Sequence, residues 1–211
     1  MEALRQVTGV AAPMMRINID TDQIIPTLFL GGTDAKGYGA HLFHHWRFLP
    51  DGSPNPDFIL NQPPYDRTQI LLADRNFGCG SSRERAPKAL REFGIRAVIA
   101  PSFGGIFFNN CYRNGIVPVE LPIENVRNIA EEVAASNGAG EVTVDLETQT
   151  VTSPQGMRFA FGAPETLRQM LLQGVDEIAL TLARSEEIDC FRTRDRERRP
   201  WAYVPSRSTP T

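Results

Sequence analysis

The residues best suited to chemistry lie in a short segment rich in glycine and serine, NFGCGSSRERAPKAL at positions 76–90. Ser81 and Ser82 place two neighbouring hydroxyls there. Arg83 adds a permanent cation whose planar guanidinium can bind a carboxylate through two parallel hydrogen bonds. These residue types predict a site that binds and orients an organic anion.

The flanking sequence predicts that this segment is a strand-to-helix turn. An apolar run with β character, QILLA at 69–73, precedes it, and an apolar helical segment ending at Phe93 and Gly94 follows it. Gly78 and Gly80 can adopt positive φ, so the main chain can approach a ligand closely. Because N–H groups at a helix start carry partial positive charge, the turn favours an anion.

The same residues also fit purely structural motifs. Ser81 and Glu84 fit a capping box, in which both side chains bond backbone N–H groups at a helix start. Pro87 weakens this interpretation, because six residues after such a cap its ring would clash with the carbonyl of Arg83. We therefore expect the helix to begin later. A dinucleotide-binding fingerprint fails because Arg83 occupies the third glycine position, and the chain has no Gly-Lys-Ser/Thr of a Walker loop here.

The wider pattern predicts an α/β fold. A strand at 4–10 comes first, and strands and helices then alternate at 69–73, 85–93, 96–100, 106–114 and 116–121. Such βαβ units give parallel strands, and ligands bind at the carboxyl ends of strands in open sheets of this kind. A helix at 124–136 and antiparallel strands between 142 and 161 follow. C-terminal helices start after Pro164, with three apolar residues expected to face inward: Ile178, Leu182 and Ile188.

Composition limits the class of protein. With 211 residues and 41% hydrophobic content, one ordinary core can form, and we expect one domain at 1–191 followed by a charged, flexible tail at 192–211. No apolar run is long enough to cross a bilayer, and the first residues lack a secretory pattern, so a cytoplasmic location is expected. A net charge of −3 gives no reason to expect nucleic acid or a membrane as partner.

The cysteines and histidines do not form a recognisable set of metal ligands. The three cysteines are widely spaced without a C-x-x-C pattern, which favours reduced thiols over disulfides or an iron–sulfur cradle. The three histidines lie at 41, 44 and 45, the first two on one face of an expected short helix. A metal site is one interpretation, but the aromatic neighbours favour packing. Residues 49–67 contain five prolines and are expected to form a loop without regular structure.

Several motifs occur in an order that resembles one family. They are NIDTDQIIP at 18–26, GAHLFHHWRF at 39–48, PNPDFILN at 54–61, GCGSSRE with RAPKAL at 78–90, and APSFGGIFFNN at 100–110. The chain closely resembles the small subunits of 3-isopropylmalate dehydratases, which correspond to the swivelling fourth domain of aconitase. The resemblance implies a single swivelling β/β/α domain with a parallel βαβ core, additional antiparallel strands and C-terminal helices.

The resemblance also implies roles for individual residues. Ser81 matches the family's proton-abstracting base, and Ser82 and Arg83 would bind the substrate carboxylate. Asp22 matches an aspartate that orders the site, although a turn in which it bonds backbone N–H groups is equally compatible with the sequence. The loop at 31–39 would help to choose the substrate, and here Lys36 is the cation available where the family has an arginine nearby.

Three further departures from the family pattern flank these positions. Arg85 replaces a histidine, Lys88 replaces a tryptophan, and the pair Gly104-Gly105 replaces Ala-Asp. An arginine stays charged near neutral pH, so a proton relay through position 85 is lost. The changes spare 80–84, so we expect them to affect the choice of substrate more than the mechanism.

The implied activity needs a second protein. By resemblance, this chain binds no cofactor itself and pairs in a heterodimer with a large subunit that carries a [4Fe–4S] cluster. The pair would interconvert 2-isopropylmalate and 3-isopropylmalate, small dicarboxylic acids of leucine biosynthesis. A related dehydratase for citraconate, dimethylmalate or another substituted malate is the main alternative, and a non-catalytic aconitase-like binding module is the other.

Overall fold

The computed structural model describes residues 2–30, 37–80 and 84–203. The chain divides into two compact units, residues 1–174 and residues 175–211. Within the described ranges no helix is both long enough and apolar enough to cross a membrane.

The first unit contains a seven-stranded sheet in the order β4-β3-β2-β1-β5-β6-β7. Strands β1 to β4 are parallel, and β5, β6 and β7 continue the sheet from β1 as antiparallel neighbours. The strands are β1 (Gln6–Met14), β2 (Ile70–Ala73), β3 (Ala97–Ala100), β4 (Val117–Glu120), β5 (Glu141–Asp145), β6 (Thr150–Thr152) and β7 (Arg158–Ala160). This mixed α/β architecture confirms the predicted parallel core with added antiparallel strands.

Helices connect the parallel strands and follow the sheet. They are α1 (Thr21–Ile24), α2 (His44–Arg47), α3 (Arg85–Phe93), α4 (Gly105–Arg113), α5 (Ile123–Ala135), α6 (Glu165–Gln173), α7 (Glu177–Leu182) and α8 (Ser185–Arg198). Single 3₁₀ turns lie at Thr27–Leu30, Tyr38–His41, Ile59–Asn61, Tyr65–Arg67 and Pro200–Ala202. Two of these turns fall within the proline-rich segment 49–67, which therefore has more local structure than its composition indicates.

Each face of the parallel sheet has its own hydrophobic layer. Strand β2 is buried throughout, and its alternate residues point to opposite faces. Ile70 and Leu72 belong to the layer that contains the apolar side of α5, whereas Leu71 and Ala73 belong to the layer that contains α3 and α4. Because both faces are covered, the central strands are continuous apolar runs and do not alternate between apolar and polar residues.

Strand β1 is longer than predicted, because it continues to Met14 and includes Pro13. Proline has no N–H, so it cannot donate a hydrogen bond to a neighbouring strand and is rarely found between two paired strands. The pairing of β1 with β5 ends at Val10, whereas its pairing with β2 covers Ala11 to Met14. Pro13 therefore has a neighbouring strand on one side only, and the strand can continue through it.

The predicted single helix through the histidines is wrong. His41 ends a 3₁₀ turn and His44 begins α2, and the left-handed residue Phe43 (φ 49°) lies between them. The His41 ring stacks on Phe29 with 3.9 Å between centroids and 8° between planes. Among the described residues no group of three or more His, Cys, Asp or Glu side chains could hold a metal ion.

The second unit consists of α7, α8 and the last 3₁₀ turn. The predicted boundary between residues 191 and 192 falls inside α8, and the flexibility of the tail stays a prediction. The expectation that Ile178 and Leu182 face inward is wrong, because they are 70% and 65% exposed. A helical spacing puts two side chains on one face of a helix, but it does not ensure that another layer covers that face.

Candidate active site

The glycine-rich turn follows β2 at the carboxyl end of the parallel strands, and the loop after β1 lies against it. The Gly78 N–H donates to the Ile19 carbonyl at 2.7 Å, and the Thr21 N–H donates to the Cys79 carbonyl at 3.1 Å. Asp20 and Cys79 form an isolated parallel bridge. The two loops therefore extend the pairing of β1 and β2 by a few residues beyond the strands.

The loop after β3 supports the turn from the other side. The Phe77 N–H donates to the Ser102 carbonyl at 3.0 Å, and the Gly104 N–H donates to the Phe77 carbonyl at 2.9 Å. The Ser102 hydroxyl also accepts from the Asn76 N–H at 2.9 Å. Backbone donors and acceptors are thus satisfied between the loops, which holds the turn between two neighbours.

A pair of asparagines closes the edge of this arrangement. Asn18 and Asn76 both adopt the left-handed conformation, with φ of 54° and 63°. The Asn76 side-chain amide donates to Asn18 Oδ1 at 2.8 Å. Asparagine tolerates positive φ better than most residues, so both loops can bend sharply at the same level of the sheet.

The two glycines of the turn have different reasons to be glycine. Gly78 has φ of 69°, and a Cβ there would lie 2.2 Å from Cγ of the buried Phe107 ring, so the main chain rests directly on α4. Gly80 has φ of 88°, but a Cβ there would come no closer than 3.7 Å, to Asp20. Gly78 is therefore required by packing and conformation, and Gly80 by conformation alone.

The acidic loop at 20–22 contains a capping box at the start of α1. Asp20 caps α1 by accepting from the Gln23 N–H at 2.7 Å, and the Gln23 side chain accepts from the Asp20 N–H at 3.2 Å. Asp22 accepts from the Thr27 hydroxyl at 2.7 Å. Asp20 therefore bonds backbone N–H groups in the way that the sequence suggested for Asp22, and Asp22 accepts from a side-chain hydroxyl.

Four of the predicted site residues, Ser81, Ser82, Arg83 and Lys36, lie outside the described residues. Described chain flanks the three residues 81–83 closely, since Gly80 precedes them and Glu84 follows them. The expectation of a late helix start is confirmed, because α3 begins at Arg85 and the Glu84 side chain makes no capping bond. Pro87 is the third residue of α3. A proline is tolerated there, because the residue four positions earlier precedes the helix and its carbonyl is not needed for a helical hydrogen bond.

Two of the departures from the family pattern lie on the surface of α3. Arg85 and Lys88 are both exposed, and the Lys88 ammonium lies 5.1 Å from the centroid of the Tyr38 ring. A cation at this distance is attracted to the face of the ring. Lys88 thus links α3 to the last residues of the glycine-rich loop at 31–39.

Cys79 lies within the turn, and its surroundings make it a weak nucleophile. Partial burial raises the pKa of the Cys79 thiol, and the nearby Asp20 carboxylate raises it further. Cys111 is fully buried, which raises its pKa well above the ordinary value, whereas Cys190 is exposed. Since the thiolate is the reactive form, the three thiols should differ strongly in reactivity.

We expect Ellman's reagent near neutral pH to titrate the native chain in three separate steps. Cys190 should react fast, Cys79 slowly, and Cys111 only after unfolding. The rate of the slow phase should rise with pH up to the raised pKa of Cys79, and Cys79→Ser should remove that phase. Three equally fast thiols would contradict the described burial.

Two family models match the chain. The model of the aconitase C-terminal domain matches residues 1–124, and a model described as LeuD_N matches residues 128–161. A relative from Cupriavidus necator, named 3-isopropylmalate dehydratase small subunit, is 52% identical over 205 residues, which are 96% of this chain and 99% of the relative.

The chain belongs to the family of 3-isopropylmalate dehydratase small subunits. Relatives with the same name from Shewanella amazonensis and Dinoroseobacter shibae are 52% and 48% identical, and the matches span 92% and 95% of this chain. They cover 97% and 100% of those relatives. The family predicted from the motifs is confirmed.

A solved structure has the same fold. A 3-isopropylmalate dehydratase from Methanocaldococcus jannaschii superposes with a TM-score of 0.60 over 86% of this chain and 99% of that one. At 24% identity the similarity concerns the fold alone. The aconitase-like fold class predicted from the sequence is confirmed.

Some features of this site carry no recognisable sequence signal. The bridge between Asp20 and Cys79 joins segments far apart in the chain, and no periodicity predicts it. The capping box at Asp20 and Gln23 has a signal, because a short acid followed three residues later by glutamine is one form of that motif.

Proposed function

We propose that this chain is the small subunit of a two-subunit hydro-lyase that interconverts 2-isopropylmalate and 3-isopropylmalate in leucine biosynthesis. The observation that carries the proposal is similarity over nearly the whole length to small subunits of that name. The carboxyl-end position of the glycine-rich turn supports it, because open α/β sheets bind ligands there.

The reaction moves a hydroxyl between adjacent carbons of a dicarboxylic acid. A base must remove a weakly acidic C–H proton, the electron pair of that bond forms a double bond, and hydroxide leaves the neighbouring carbon. Water then adds back with the two positions exchanged. The protein must also hold both carboxylates while the unsaturated acid is present, since a released intermediate would end the reaction.

Ser81 is the proposed base. In water a serine alkoxide is strongly disfavoured, but a turn whose N–H dipoles are already aimed before the reaction can stabilise that anion. Arg83 adds positive charge beside it, and Ser82 and Arg83 bind and orient a substrate carboxylate. The hydrogen bonds from 77–79 to the two neighbouring loops support this role, since they fix the chain immediately before the serines.

Asp22 and Lys36 have supporting roles in the proposal. Asp22 orders the entrance of the site through the Thr27 hydroxyl, which it holds at 2.7 Å. Lys36 contributes a point charge that attracts a substrate carboxylate with less defined geometry than an arginine. Substrate choice should therefore depend strongly on how the loop around Lys36 is held.

The partner is a large subunit that carries a [4Fe–4S] cluster. Departure of hydroxide needs a Lewis acid, and the cluster supplies that chemistry from the large subunit. In this proposal the chain itself contributes the base and the carboxylate clamp. We place the complex in the cytoplasm, the compartment in which unpaired thiols such as Cys79, Cys111 and Cys190 persist.

Reconstitution tests the proposal directly. The purified chain should be colourless and inactive, and adding the iron–sulfur large subunit should give hydration and isomerisation of isopropylmalate. Rates should be measured against a panel that includes 2-isopropylmalate, citraconate and dimethylmalate. Strong activity of the chain alone would contradict the division of labour between the subunits.

The same panel separates this proposal from its alternatives. A preference for citraconate or dimethylmalate would indicate a related dehydratase. The departures from the family pattern at Lys36, Arg85 and Lys88 favour this alternative over the other. Binding of the large subunit without turnover of any diacid would indicate a non-catalytic module.

A further inference from the structure

Residues 37–39 contact the last turn of α3. The Gly39 N–H donates to Glu92 Oε2 at 3.0 Å. Glu92 lies in the last turn of α3, 53 residues further along the chain. A charged acceptor makes this a stronger hydrogen bond than one between two neutral groups.

The glycines of this segment lie unusually close to α3. A Cβ on Gly39 would lie 2.7 Å from both the Glu92 carbonyl carbon and the Phe93 nitrogen, so only glycine fits against the helix backbone. Gly37 has φ of 72°, and a Cβ there would lie 2.8 Å from Glu92 Oε2. Residues 37–39 therefore rest on α3 with the carboxylate against their main chain.

The carboxylate also replaces a missing cap. The 3₁₀ turn Tyr38–His41 receives no side-chain hydrogen bond from its own N-cap residue, Gly37. Glu92 supplies the acceptor from another element, and Arg47 Nη1 donates to the Gly39 carbonyl at 3.2 Å from the other side. Gly39 is thus held through both its N–H and its carbonyl.

Helix α3 connects this anchor to the proposed catalytic turn. The helix begins at Arg85, two residues after Arg83, and reaches Glu92 about 10 Å further along its axis. Lys88, one turn before Glu92, lies 5.1 Å from the Tyr38 ring centroid. One helix therefore connects the described chain that follows residues 81–83 to the contacts of residues 37–39.

We infer that Glu92 is a positioning residue for substrate binding, acting through residues 37–39 on the loop that contains Lys36. The inference rests on the proposed function. Glu92 touches neither substrate nor reacting atoms. It fixes where residues 37–39, directly after Lys36, lie on α3, and so it governs substrate affinity and discrimination more than the chemical step.

Two variants of Glu92 separate this role from a general effect on stability. Glu92→Ala removes the acceptor and should raise KM for 2-isopropylmalate in the reconstituted complex by about tenfold, with a smaller change in kcat. It should also reduce the preference for 2-isopropylmalate over citraconate. Glu92→Gln keeps an oxygen that accepts from the Gly39 N–H and should stay within about twofold of the parent chain.

Hydrogen exchange of the isolated chain gives a readout that does not depend on activity. Amides of Tyr38–His41 should exchange about tenfold faster in Glu92→Ala and no more than about twofold faster in Glu92→Gln. Glu131→Ala, at an exposed glutamate on α5, is the control and should change neither exchange there nor KM.

Each outcome has one meaning. Unchanged exchange in Glu92→Ala would overturn the anchor. Faster exchange with unchanged KM and unchanged discrimination in an active complex would overturn the positioning role. An unmutated complex that turns over none of the substituted malates would overturn the proposed function instead, and the exchange experiment would still decide the anchor.

Discussion

Replacing Ser81 with alanine should lower kcat of the reconstituted complex by about 10³-fold and leave the two subunits associated. The alcohol oxygen is the proposed acceptor of the substrate proton, and alanine has no group that can replace it. Ser81 is next to Gly80, whose position is fixed through the contacts of Gly78 and Cys79 with the loop after β1. The loss should therefore come from chemistry and not from a collapsed turn. Initial rates and sedimentation of the mixed subunits measure the two effects.

Neighbouring substitutions provide the controls. Ser82→Ala and Arg83→Lys each weaken the carboxylate clamp but leave the base, so KM should rise by about tenfold or more and kcat should fall less than in Ser81→Ala. If Ser81→Ala retained a near-normal rate, proton removal would have to be assigned to another group. If all three variants lost kcat equally, the division between base and clamp would be wrong.

Periodicity predicts the regular part of this fold well. The predicted and observed bounds of α3 coincide at 85–93, because Gly94 ends the helix and Pro87 restricts where it can begin. The buried strand β2 is found within one residue of the predicted 69–73, since its unbroken apolar run has no other stable place than a sheet covered on both faces. The carboxyl-end location of the site follows from these two elements.

Periodicity does not predict contacts between segments that are far apart in the sequence. Asn18 and Asn76 are 58 residues apart, and the bond between their side chains leaves no repeat or spacing in the sequence. The same holds for Gly39 and Glu92. A helical spacing can also place apolar residues on one face of a helix that no other element covers. Ile178 and Leu182 have such a spacing and are exposed in the structure.

The role of Gly78 as the support of the turn predicts a large stability effect. Gly78→Ala forces an alanine to keep φ of 69° and places its Cβ 2.2 Å from Cγ of Phe107. Since Phe107 is buried in the layer below the sheet, its ring cannot move aside without disturbing Phe77 and the helix α4. We expect a loss of about 3 kcal/mol in the free energy of unfolding, together with loss of activity in the complex. Urea unfolding followed by circular dichroism measures the first quantity.

Two nearby glycines make the interpretation specific. Gly80→Ala shares the strained φ but meets no atom within 3.7 Å, so it should cost only about 1 kcal/mol. Gly105→Ala, in the first turn of α4, has open space around the new methyl group and should change stability by less than about 0.5 kcal/mol. The order Gly78, Gly80, Gly105 separates packing against Phe107 from backbone strain. Equal losses at Gly78 and Gly80 would mean that conformation alone, without the contact to α4, maintains the turn.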